Sequence, residues 1–171
     1  MHIILFRHGP AGDRDPGRWP DDRLRPLTSR GESRTRHAAR GLLRLEGEVH
    51  IVLTSPLLRC LRSAEILASE AGLSHSPEAL DALAPRSSWR DVILRLGEAS
   101  PESNVVLVGH EPDLGKLAGV LLFGAPKALA LKKAGGCSIG FDAPVSPGAG
   151  LLRWFLPPRT LKRMAGSRSK V

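Results

Sequence analysis

Three short stretches of the chain are dominated by apolar residues: Ile3–Phe6, Val49–Leu53, broken only by His50, and Val105–Val108. Runs of this kind, rich in β-branched residues and leucine, predict strands covered on both faces and therefore parallel members of an α/β sheet. Between the first two, apolar residues return at helical spacing and predict a helix over about Ser29–Leu45. Thr28 or Ser29 is placed to cap it, and Ser29 with Glu32 has capping-box spacing. "PLLRCLRSAEILASEAG" predicts a second helix opened by Pro56 and closed by Gly72. "SSWRDVILRLGE" and "PDLGKLAGVLLFG" predict a third and a fourth. "CSIGFD" and "GLLRWFL" read as two late strands joined by the turn-rich "APVSPGAG". No internal repeat interrupts this order. The alternation predicts a three-layer α/β/α sandwich around a mostly parallel central sheet.

Composition narrows the picture. At 171 residues, with 42% hydrophobic and 25% charged positions, the chain suits one globular domain with a full core. That domain is expected over residues 1–165, with 166–171 a basic, frayed tail; all of "PRTLKRMAGSRSK" reads as a solvated end. The formal net charge of +8 admits either nucleic acid or a smaller anionic ligand as partner. Basic residues are scattered, only 4% of positions are aromatic and tyrosine is absent, so base stacking has little material and nucleic acid is disfavoured. No apolar run approaches the roughly 20 residues of a membrane span. "HIILF" is also short for a signal-peptide core. Cys60 and Cys137 lack metal-ligand spacing, as do His2, His37, His50 and His75. A cytoplasmic protein with neither metal nor cofactor is expected. Cys60, Trp89 and Trp154 read as core residues.

The candidate chemistry lies where the strands stop. Arg7/His8, Ser55/Arg59 and Gly109/His110 each follow the C-terminal end of a predicted strand. In open α/β sheets ligands bind outside those ends. A lone histidine there is ordinarily a hydrogen-bonded surface residue, and a lone arginine in a first helical turn is ordinarily solvated. Two arginines and two histidines arriving together make a pocket for a dianionic phosphoryl group.

"FRHGPA", "LTSRG", "TSPLLRCLRSAEILA" and "VVLVGHEP" together resemble the histidine phosphatase superfamily, also called phosphoglycerate-mutase-like, and within it the compact SixA-type phosphohistidine phosphatases. The resemblance covers nearly the whole chain. It implies that His8 is a nucleophile that becomes transiently phosphorylated, that Arg7, Arg59 and His110 bind the phosphoryl oxygens, and that Gly9 and Glu111 belong to the substrate site. Phosphate or vanadate is the expected anion there. The physical chemistry of the residues agrees. Adjacent cations depress the pKa of His8 and keep it nucleophilic. A backbone acceptor on its Nδ1–H would free Nε2 for attack, and guanidinium forks match phosphate oxygens. His110, beside a bound dianion, is expected to be drawn toward its charged form. The turn from Gly109 to Pro112 could also offer backbone N–H groups to that anion.

One departure concerns the general acid that many family members carry after the second helix. That region reads "SPEALDALAPRSS", where Glu78 and Asp81 are the candidate proton donors, neither in a family pattern. Imidazole leaves more readily than an alkoxide, so weak acid provision points to protein phosphohistidine as substrate. A phosphatase of small phosphoesters or nucleotides on the same core is the alternative, and a non-catalytic phosphate- or nucleic-acid-binding protein a distant one. The loop "GPAGDRDPGRWPDDRLRP" must pass near the pocket mouth, where its mixed Asp/Arg charge and Trp19 could read a substrate, with disorder the alternative at this length.

Overall fold

The computed structural model describes residues 1–127 and 129–166. Six strands form one sheet: β1 (His2–Arg7), β2 (Ile51–Thr54), β3 (Glu78–Ala79), β4 (Asn104–Gly109), β5 (Gly136–Gly140) and β6 (Leu151–Leu156). Their order across the sheet is β3-β2-β4-β1-β5-β6. β1, β2, β3 and β4 run parallel, while β5 is antiparallel to both β1 and β6. Five helices complete the fold: α1 (Ser29–Glu46), α2 (Leu58–Ala71), α3 (Trp89–Leu96), α4 (Asp113–Phe123) and α5 (Pro158–Gly166).

Alternation along β1 builds both faces. Ile3 and Leu5 pack with Val92 and Leu96 of α3 and Leu114, Leu117 and Leu121 of α4. Ile4 and Phe6 point the other way, onto Ala38, Ala39 and Leu42 of α1 and Ala64 and Leu67 of α2. Successive side chains of a strand project to opposite faces, so an uninterrupted apolar run is the signature of two covered faces.

Local details depart from the sequence reading at four places. Thr28 caps α1, its Oγ1 accepting from the Gly31 N–H at 2.9 Å, and Glu32 pairs with Arg62 at 2.7 Å instead of closing a capping box. The second helix starts at Leu58, two residues after Pro56, and ends on Gly72 in the left-handed region as expected. Trp89 and Trp154 are only partly buried: the first stacks under Arg90, and the Nε1–H of the second donates to Glu46. The fourth difference is the largest. "PRTLKRMAG", read as solvated tail, is α5, whose Leu161 is fully buried against α1. A Cβ at Gly41 would stand 1.9 Å from the Leu161 carbonyl oxygen, so glycine at that position lets the two helices meet. One buried leucine among basic residues is too thin a stripe to announce a helix from sequence. The expected tail beyond Gly166 lies outside the described residues.

Candidate active site

Strand register brings the three endings together. Arg7 of β1 lies opposite Gly109 of β4, and the His8 N–H donates to the Gly109 carbonyl at 3.1 Å, which sets His8 beside His110. Thr54 lies opposite Val108, and the Ser55 N–H continues that ladder to the Val108 carbonyl at 2.9 Å. Arg59 follows in the first turn of α2. The ring centroids of His8 and His110 are 5.1 Å apart, edge to face. A cavity of about 640 Å³ opens over them, lined also by Arg7, Arg25, Arg59 and Lys133. Seven arginines and lysines line it against three carboxylates, Asp13, Glu111 and Asp113, so its field favours an anion.

Two glycines make the turn after β1 possible. The Gly9 N–H donates to Ser63 Oγ at 3.1 Å, and the Ser63 hydroxyl donates to the Arg59 carbonyl at 2.7 Å. A Cβ at Gly9 would lie 2.2 Å from Thr35 Oγ1, and one at Gly31 would lie 1.9 Å from the Pro10 carbonyl. The end of β1 thus rests directly on the backbone of α1. Any side chain at Gly31 would push the turn, and His8 with it, off that seat.

His8 is 5% exposed. Its Nδ1 lies 2.7 Å from the Gly9 carbonyl, an acceptor only, so Nδ1 carries the proton and Nε2 keeps its lone pair. Burial, then the nearby His110, Arg59 and Arg7, lower the His8 pKa to about 3, against the one raising influence of Gly9. The imidazole is neutral at physiological pH. Burial and Arg59 likewise lower His110 to about 4. The charged His110 expected from the sequence therefore belongs to the anion-bound state; in the free protein it is neutral. Its Nε2 lies 2.9 Å from Ser55 Oγ and 3.3 Å from Cys60 Sγ. Burial pushes the Cys60 thiol up to about 12, so it stays protonated.

The arginines are held from behind. Arg59, 3% exposed, donates from Nη1 to the Asp22 carbonyl at 2.8 Å and from Nη2 to Asp22 Oδ2 at 3.0 Å. Arg25, 6% exposed, donates from Nε to Asp22 Oδ1 at 2.7 Å and from Nη1 to the Gly12 carbonyl. Arg7 donates from Nη1 to the Leu131 carbonyl at 2.8 Å. The Nε atoms of Arg7 and Arg59 are buried and have no partner among the described residues. A buried donor left unpaired is costly.

The remaining candidates are placed as follows. Glu111 lines the cavity near Arg7; burial raises its pKa, with backbone N–H groups of Leu131 and Gly115 opposing. Neither Glu78 nor Asp81 lines the cavity. Glu78 is gripped by Arg95 at 2.6 and 2.9 Å, a hydrogen-bonded pair that lowers its pKa and makes it a poor proton donor. At the start of α4, the Leu114 N–H is already used by the His110 carbonyl. Arg25, Asp22, Ser63 and Lys133 were not singled out from sequence. Asp22 and Arg25 lie in the charged loop after β1, where only the fold shows which charges face inward. Among the described residues no group of three or more His, Cys, Asp or Glu is placed to hold a metal ion, and no helix is long and apolar enough to cross a membrane.

A sheet of this topology, with Arg–His–Gly at the end of its first strand and Gly–His–Glu–Pro at the end of the strand beside it, defines a class. The chain belongs to the histidine phosphatase superfamily: a profile of its branch 1 matches residues 3–87. An uncharacterized protein of Picosynechococcus is 45% identical over 138 residues, 79% of this chain and 82% of that one. Phosphohistidine phosphatase SixA of Escherichia coli is 29% identical over 168 residues, 95% of this chain and 97% of the relative. The solved structure of SixA complexed with tungstate superposes with a TM-score of 0.82 at 28% identity, covering 95% of this chain and all of the other.

Proposed function

We propose that this protein is a phosphatase that removes the phosphoryl group from phosphohistidine in a protein substrate, through a phosphorylated His8. The observation that carries the reading is the state of His8: neutral, its Nδ1–H tied to Gly9, its Nε2 free among arginines. Nε2 attacks phosphorus and forms a new P–N bond as the substrate's P–N bond breaks. The departing imidazole takes that electron pair and leaves neutral when its other nitrogen carries a proton. Arg7 and Arg59 hold the equatorial oxygens, and His110, drawn to its charged form by the dianion, adds a further donor. Water then cleaves the phosphoryl–His8 bond, releasing phosphate and restoring the imidazole.

One feature supports phosphohistidine over phosphoesters: the likeness to SixA runs over almost the whole chain. Glu78 and Asp81 do not line the cavity, but Asp13, Glu111 and Asp113 do, so the placement of carboxyls does not by itself separate the two substrate classes. The test is a turnover panel at matched concentration: a phosphohistidine peptide, phosphoramidate, a phosphoserine peptide and p-nitrophenyl phosphate. The phosphohistidine peptide is expected to exceed the esters by about 10²-fold or more in kcat/KM. Esters turned over as well or better would replace the substrate assignment and leave the phosphatase reading standing.

A further inference from the structure

The two flanks of α1 treat their arginines differently. On the flank facing α2, Arg36 and Arg40 both reach Glu70, at 3.3 and 2.7 Å, and Arg62 of α2 pairs with Glu32. On the other flank Arg30 and Arg34 are exposed and form no ion pair among the described residues. The same holds for Lys132, Lys133, Arg159 and Lys162. These six cations line one trough of about 940 Å³ between α1, the segment before β5 and α5, and no carboxylate lines it. Arg7 and Lys133 line both this trough and the cavity over His8. Like charges gathered without counter-charges repel one another, so the folded chain gains nothing from this grouping on its own.

We propose that the trough docks an acidic segment of the phosphorylated protein whose phosphoryl group enters the cavity, an inference that rests on the phosphohistidine-protein reading. The shared wall sets the trough beside the cavity, so a segment lying in the trough can be continuous with a group bound beside His8. Pro10, Pro157 and Pro158 line it with little side-chain freedom to lose on binding. Among the described residues no Phe, Trp or Tyr lines it and His37 is its one aromatic ring, so a nucleic acid would find cations but little stacking surface, which favours a peptide. Exposed cations of this kind act through encounter rate and register and are screened by salt.

The experiment uses two phosphohistidine peptides of equal length, one flanked by Asp and Glu and one by Ser and Gly. It adds a fluorescein-labelled Asp/Glu decapeptide and an oligothymidine of equal charge as binding probes. The full chain is expected to favour the acidic flank by about tenfold or more in kcat/KM at low salt. Arg34→Glu with Lys162→Glu is expected to abolish that preference and the decapeptide binding. The melting temperature and the turnover of the neutral peptide should be retained. Arg34→Gln with Lys162→Gln should give an intermediate loss. No preference in the unaltered protein, or a preference that survives charge reversal, overturns the proposal. Oligothymidine binding more tightly than the decapeptide overturns it in favour of nucleic acid. Should neither phosphohistidine peptide be turned over, the functional reading fails separately, and the decapeptide arm still decides the trough: binding lost on charge reversal supports it, and binding unchanged removes it.

Discussion

The cavity and the trough are both concave and both cationic, and they share Arg7 and Lys133, yet their charges are held in opposite ways. In the cavity Arg59 and Arg25 are buried and each is oriented by Asp22 and a backbone carbonyl. In the trough Arg30, Arg34, Arg159 and Lys162 stand in solvent with no ion pair among the described residues. A buried guanidinium fixed from behind presents its remaining N–H groups in one geometry and works at low local dielectric. A solvated cation adapts to its ligand and is weakened by every counterion nearby. Chemistry therefore belongs to the first region and recognition at range to the second. Substitutions should separate them by orders of magnitude.

The largest effect is expected at His8. His8→Ala should reduce turnover by about 10⁴-fold or more while phosphate still raises the melting temperature, because the arginines that grip the anion remain. A labelled phosphoryl group trapped under alkaline conditions should appear on the unaltered protein and not on the variant. Full activity in His8→Ala would remove the covalent mechanism. Next in size is Arg59→Ala, with an expected loss on the order of 10³-fold in rate together with weakened anion binding. A loss as small as that of a trough arginine would show that burial behind Asp22 does not matter to the chemistry.

Asp22→Asn tests the orientation itself. The carboxylate accepts from both Arg25 and Arg59, and hydrogen bonding to Arg25 holds its own pKa down. Asparagine keeps the size but offers one acceptor oxygen in place of two charged ones. The expected result is a fall of about 10-fold to 10²-fold in kcat/KM for a small phosphoramidate, with the fold intact. An unchanged rate would mean that the backbone carbonyl at position 22 and the helix hold Arg59 without the carboxylate, and the contrast with the trough would shrink to a difference in burial.

How much of this could be read beforehand follows the same division. Five of the six strands and the faces of α1 to α4 were legible because an apolar run in a strand and an apolar stripe in a helix each report a buried surface directly, whereas the two exposed residues of β3 carry no such signal. The placement of Arg7, His8, Arg59 and His110 around one cavity was legible because parallel strands deliver their C-terminal ends to one edge. Asp22 and Arg25 were not, since in a loop of mixed charge nothing local distinguishes an arginine turned inward onto a carboxylate from a solvated one. The trough was hidden for a different reason. Its cations come from α1, the segment before β5 and α5, which adjoin only after folding, and α5 itself carried too little apolar signal. Glu78 was misleading in the same way: its partner Arg95 is 17 residues on, in a helix whose direction the sequence does not reveal.

The last effect, and the one that reaches the cavity without altering its arginines, is the response of stability to acid. Folding lowers the pKa of His8 from 6.5 to about 3 and that of His110 from 6.5 to about 4, burial being the main cause in each. Above pH 6.5 both are neutral folded and unfolded, and contribute no pH dependence. Between pH 6.5 and about 4 the unfolded chain binds protons that the folded one refuses, so stability falls as pH falls, by up to about 1.4 kcal/mol per pH unit for each group. Urea midpoints at pH 7, 6 and 5 should show this decline, and His8→Ala should make it shallower. Saturating tungstate or phosphate should flatten it further, because a dianion between the two rings favours their protonated forms and raises the folded pKa values back toward 6.5. The unfolded chain then no longer binds more protons than the folded one. The trough touches neither His8 nor His110, but His37 lines it, so the comparison is made in a His37→Gln background, where anion acting at the trough would leave the decline as steep as before. A slope unchanged by both the variant and the anion would show that the two imidazoles are not held neutral by the cavity, and the contrast between buried and solvated charge would lose its electrostatic basis.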